Sequence, residues 1–195
     1  MTLSLDERLN QILPKVTSQD FLESKGLGNE IGFWIFDYPP EREMEVRDFM
    51  ASTVLPSLSK QVPPIRAEAV NLLELVTSLL EERNLLEKAI EMQAGKGDGS
   101  ALAALRSVLK EDKIAQKIAA QHEVANLDLL IITGVGAVYP MLRTHTLLSA
   151  LHPVMGDTPL LMLFPGRYDG HSLRLFNTLA EDHYYRAFRL VPETI

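Results

Sequence analysis

Five apolar residues, Leu127, Leu129, Leu130, Ile131 and Ile132, follow one another almost without interruption and run into Thr133-Gly134-Val135-Gly136. A near-continuous apolar run of this length reads as a strand covered on both faces, and such a strand calls for helices on either side of a parallel sheet. The glycines can take positive φ or admit a close backbone, and Pro140 suits the first turn of a following helix, where its missing N–H is not needed. The pattern therefore predicts a strand over 127–133 and a helix over 140–151. In open α/β sheets, ligands bind beyond the carboxyl ends of the strands, where helix N-termini also offer free N–H groups to anions.

The rest of the chain repeats the alternation. Leu5, Leu9, Ile12, Leu13 and Val16 keep a helical rhythm over 5–22, with Ser4 as N-cap, Asp6 and Glu7 in the first turn, and Pro14 as the place for a kink or split. Residues 31–38 are aromatic and β-branched and stop at Pro39-Pro40, which predicts a strand followed by a helix over 41–58. A second strand falls over 65–73, and helical spacing continues through Ile90 to the break at Gly95-Lys-Gly-Asp-Gly-Ser100. Helical pattern resumes over 101–125. After the central strand and helix come a strand over 159–164, a turn-rich segment with a short helix, and a last strand over 184–191. The expectation is a single α/β domain with a mostly parallel central sheet of about five strands flanked by helices, in Rossmann-like or P-loop-like layering without a Walker A motif.

Composition narrows the function. A chain of 195 residues with 46% hydrophobic content suits one well-cored domain. A net charge of -7 argues against a protein built to grip DNA, because that affinity comes from Lys and Arg neutralising phosphates. There are no cysteines, which removes thiolate metal sites, disulfides and cysteine nucleophiles. The N-terminal residues lack the pattern of a signal peptide and no apolar run is long enough to cross a bilayer, so the expectation is a cytoplasmic protein with no membrane partner.

The motifs fall short of catalysis. Gly134-Val-Gly136 begins like a dinucleotide fingerprint but has Tyr139 at the third glycine position. Gly95–Ser100 joins two helices, whereas a phosphate loop joins a strand to a helix. Gly170-His171-Ser172 has Arg174 where a nucleophile elbow needs glycine. The five histidines show no metal-ligand spacing, and Asp37, which could hold a magnesium ion, more simply shapes the turn into Pro39. Pro165-Gly166 reads as the centre of a type II turn at the same sheet edge as Gly134, bringing Arg167 near Arg143. Arg143 and His145 follow close behind the glycine turn, where Arg143 could grip an anion and His145 shares a helical line with Met141, Leu148 and His152. Beyond Lys117 every cation is arginine, which suits bidentate pairing and interfaces. Along the last strand Arg186 shares a face with Tyr184, Phe188 and Leu190, and is expected to pair inside or at the rim. No catalytic residue, metal site or cofactor is assigned. The candidate anion- or partner-binding positions are Gly134, Gly136, Arg143, His145, Gly166, Arg167 and Arg186.

Thr133-Gly-Val-Gly136, Tyr139-Pro140, Leu142-Arg143, His145, Leu147-Leu148, Phe164-Pro-Gly-Arg-Tyr168 and Tyr184-Tyr-Arg-Ala-Phe188, taken in order, resemble the BrxB family of the bacteriophage-exclusion (BREX) defence systems. The resemblance is specific over the last third of the chain and general, in length and element order, before it. It implies a bacterial cytoplasmic protein encoded beside a PglZ-like phosphatase-superfamily protein, a BrxC-like ATPase and a PglX-like DNA methyltransferase. No enzymatic activity comes with it. The expected role is a structural adaptor docking such components, the PglZ-like protein first, with a homodimer left open. The alternative is a nucleotide or anion sensor, or an enzyme, using the crevice at the strand ends.

Overall fold

In the computed structural model, which describes residues 2–23, 32–181 and 187–194, alternate residues of the central strands feed two separate apolar clusters. Strand β1 (Phe33–Tyr38) sends Phe33 and Ile35 to one side and Phe36 and Tyr38 to the other. Strand β3 (Leu129–Thr133), which follows β2 (Ala67–Asn71), splits Leu130 and Ile132 from Leu129 and Ile131 in the same way, and all five of its residues are buried. The two-residue period of a strand thus carries apolar side chains into both layers, which is why β3 shows no polar alternation.

Helices cover both faces. On the side of Phe36, Ile131 and Leu161 lie α1 (Leu5–Val16), α2 (Gln19–Leu22), α3 (Glu43–Phe49) and α4 (Leu55–Ser59), the last two joined by a π-helical turn over Met50–Val54. The other side carries α5 (Leu72–Glu82), α6 (Leu86–Lys96), α7 (Asp98–Val108), α8 (Glu111–Gln121) and α9 (Thr144–Met155). A capping box starts α1: the Glu7 amide donates to Ser4 Oγ, and the Ser4 amide donates to Glu7 Oε2 at 2.7 Å. The helix then ends at Thr17-Ser18, where Ser18 caps α2, so the split falls after Pro14, which stays inside α1.

Strands β4 (Leu160–Tyr168) and β7 (Phe188–Arg189) complete a parallel path in the order β2-β3-β4-β1-β7. Two short strands, β5 (Leu173–Leu175) and β6 (Leu179–Glu181), extend β4 as an antiparallel hairpin. The α/β layering is as expected, but the expected strand count and pairing need correction. Among the described residues the sheet has seven strands and is mixed, because the segment read as turn and short helix pairs back onto β4. Phe164–Tyr168 belongs to a strand, not to a turn at Pro165-Gly166. Similarly, the helix expected from Pro140 begins at Thr144, because Val138 and Leu142 are first drawn into the core through a series of turns.

Candidate functional site

Asp37 stands at the end of β1, where the strand order reverses: the chain leaves β1 for β2 at the sheet edge, whereas from β4 it passes beyond β1 to β7. Open α/β sheets ordinarily bind ligands in this crevice. Here, among the described residues, the chain's own charged groups meet. Arg8 Nη2 donates to Asp37 Oδ1 at 2.6 Å, while Oδ2 accepts from Arg189 Nη2 at 3.2 Å and from the Tyr168 amide at 2.9 Å. Asp37 is 1% exposed and Arg8 3%. The Arg8 guanidinium also lies 4.9 Å from the Phe36 ring centroid and donates to the Val191 carbonyl at 3.0 Å. Tyr168 is fully buried, with its hydroxyl 2.6 Å from the Ala187 carbonyl and 3.1 Å from that of Gly170.

A carboxylate held by two guanidinium groups and an amide has its lone pairs committed, which suits it to fixing elements in place. Asp37 joins α1, β1, β7 and the end of β4 at one point. Among the described residues no group of three or more His, Asp or Glu is placed to hold a metal ion.

The two glycines of the turn after β3 serve neighbouring elements. Gly134 has φ +73°, and a Cβ there would lie 2.7 Å from Asn71 Oδ1, the oxygen that accepts from the Leu73 and Glu74 amides at the start of α5. A Cβ on Gly136 would meet the Phe176 ring at 2.7 Å and Pro165 at 3.0 Å. The Gly134 turn and the Pro165-Gly166 segment do therefore come together, packed against the β5–β6 hairpin. Gly166 itself faces the Arg174 carbonyl, only 2.2 Å from where its Cβ would stand.

The arginines sort differently. Arg167 and Arg174 are direct partners across the β4–β5 ladder, and with Asp169 and Ser172 they line a polar cavity of about 250 Å³. Arg167 also lies 3.7 Å from Glu193. Arg143 is exposed at the N-cap of α9 and is not among the lining residues of that cavity, and His145 is half-buried in the first turn of α9. Arg186 lies outside the described residues.

Asp169 braces the turn between β4 and β5. It accepts from the His171 and Ser172 amides and the Ser172 hydroxyl, and these hydrogen bonds lower its pKa from 3.8 to about 2. A carboxylate with a lowered folded pKa contributes stability above its unfolded value, and that contribution is lost as pH falls through the folded value. The hairpin is therefore expected to loosen as pH drops from 3.8 towards about 2. Amide exchange of residues 171–175 checks this, and Asp169→Asn should flatten that acid limb.

Arg8 and Arg189 were missed in the sequence. Arg8 left a trace: it occupies the same helical stripe as Leu5, Leu9 and Ile12, a cation where apolar residues are expected. The fold and its strand ends define an α/β protein whose strand ends are joined by an internal ion-pair cluster. The family model described as BREX protein BrxB matches residues 68–190, and the chain belongs to this BrxB family. BREX protein BrxB of Bacillus cereus (strain H3081.97) is 42% identical over 193 residues, spanning 97% of this chain and 98% of the relative. BREX protein BrxB of Escherichia coli O9:H4 (strain HS) is 40% identical over 190 residues, spanning 97% of this chain and 93% of the relative. The likeness thus extends well beyond the last third that carries the motifs. No solved structure gives a significant match. Among the described residues no helix is long and apolar enough to cross a membrane.

Proposed function

We propose that the chain is a non-enzymatic adaptor of a BREX phage-defence assembly in the bacterial cytoplasm, a single α/β unit whose C-terminal third docks another component. The PglZ-like protein is the first candidate, with the BrxC-like ATPase and PglX-like methyltransferase next. One observation carries the reading. The strand-end crevice is occupied by Asp37, Arg8, Arg189 and Tyr168, while the adjoining hairpin turns Arg167, Arg174 and Phe176 outward. Arginine and aromatic side chains at a surface are the residues that dominate protein interfaces. The sensor reading needs an open crevice between the Gly134 turn and Gly166, and Phe176 and Pro165 fill the space beside Gly136.

Affinity purification of the tagged chain with each co-encoded protein tests the adaptor role. The PglZ-like protein should co-purify, and Arg167→Glu with Arg174→Glu should weaken the complex by about tenfold or more. Failure of the folded chain to bind any co-encoded component would overturn it.

A further inference from the structure

A groove of about 580 Å³ runs between α5, α6 and α7 and is lined also by Tyr139, Pro140 and Met141. Its floor is apolar for a simple reason of spacing. Leu73, Val76 and Leu80 fall on one face of α5, and Leu86, Ala89 and Ile90 fall on one face of α6. Helix α6 buries no residue, and α7 buries only Ala101. Three large apolar side chains are left in water within this one groove: Ile90 is 52% exposed, Leu73 41% and Tyr139 36%. Contiguous apolar exposure of this kind marks an interaction surface. The chain anchors the wall deliberately, since Arg106 donates through Nε and Nη2 to the Pro140 carbonyl at 3.0 and 2.9 Å.

The rim carries the opposite information. From Leu72 to Val108, across α5, α6 and α7, there are six carboxylates and four cations, and one of the cations, Arg106, is held on the Pro140 carbonyl. The exposed Glu74 and Glu81 follow the groove residues Leu73 and Leu80 along α5, and the exposed Glu87 and Glu91 follow Leu86 and Ile90 along α6, while Asp98 lines the groove itself. A second copy of the chain would set this acidic rim against itself across a two-fold axis, in a protein of net charge -7. An apolar trough with an acidic border instead complements a helix with an apolar stripe and basic flanks.

We infer that this groove receives a cationic amphipathic helix of a partner protein, about three turns long to match the facing helices. The inference rests on the adaptor reading and gives the chain a second docking surface, which shares no lining residue with the Arg167–Arg174 cavity.

Fluorescence anisotropy with the full chain and a labelled model peptide tests it. The peptide is a leucine-striped helix flanked by lysines, and its counterpart carries glutamates instead. The lysine peptide should bind, the glutamate peptide should bind at least about tenfold more weakly, and Ile90→Asn should weaken the lysine peptide by a similar factor. Glu74→Lys with Glu87→Lys should reverse the preference. Both positions and Ile90 are exposed, so an unchanged circular dichroism spectrum is expected for each variant. Absence of binding, equal binding of the two peptides, or indifference to Ile90→Asn overturns the inference. So does a concentration-dependent dimer in sedimentation that Ile90→Asn abolishes, which would assign the groove to a second copy. Co-purification with BREX components does not depend on the peptide result, so the adaptor reading can survive this failure, and its own failure is seen separately.

Discussion

Asp37→Ala should lower the unfolding free energy by about 3–5 kcal/mol, measured by chemical denaturation, because it leaves buried guanidinium charge without its counter-ion. Both Arg8 and Arg189 point at this carboxylate, and Arg8 has almost no solvent to turn to. The Val191 carbonyl and the Phe36 ring remain beside Arg8, but neither carries a charge to replace the one removed. Asp37→Asn should fall between Ala and wild type: it keeps an oxygen for the Tyr168 amide or one arginine and loses the attraction for both. Arg8→Met should cost less than Asp37→Ala, since methionine fills the space and Arg189, which is 23% exposed, still pairs with the carboxylate. A cycle between positions 8 and 37 should return a coupling of about 1–3 kcal/mol. A loss below about 1 kcal/mol for Asp37→Ala would mean that the cluster does not hold the strand ends together.

That cluster also shows where sequence reading stops. Strand β3 was legible because a strand buried on both faces reads as an unbroken apolar run, and the four residues Leu129–Ile132 have no competing signal. The start of α1 was legible because Ser4 and Glu7 satisfy a local capping rule. Pro165-Gly166 misled because two local preferences for a turn were overridden by the sheet. Beyond the Ile132–Met162 pair β3 no longer flanks β4, so a residue without an N–H is tolerated at Pro165 beside Tyr38. Gly166 is needed there for the close approach of the Arg174 carbonyl, not for turning. The strand-end cluster depends on partners far apart in the chain, at a sequence separation of 29 for Arg8 and Asp37 and of 152 for Asp37 and Arg189. No periodicity records such pairings. The surface that the Gly134 turn supports was legible as a position, whereas its neighbours Phe176 and Pro165 became visible only once the hairpin was folded back.

Tyr168→Ala is expected to cost about 3–5 kcal/mol as well, by emptying the space that the ring fills between the strand ends. Tyr168→Phe, which keeps the ring and removes the hydroxyl facing the Ala187 carbonyl, should cost only about 1–2 kcal/mol. The contrast separates two roles of one residue: the buried ring packs at the strand ends, and the hydroxyl ties β4 to the chain entering β7. Because Tyr168 is also the last β4 residue paired with β5, through Leu173, loss of the ring should free the hairpin before the rest of the sheet. Hydrogen exchange should therefore speed up over residues 173–181 in Tyr168→Ala while β3 stays protected. If docking of a BREX component uses the Arg167–Arg174 face, the same variant should weaken that complex below the denaturation midpoint, at temperatures where β3 is still folded. Equal losses of stability for the Ala and Phe variants would show that the hydroxyl, not the ring, seals the strand ends, and would return the crevice to consideration as a binding pocket.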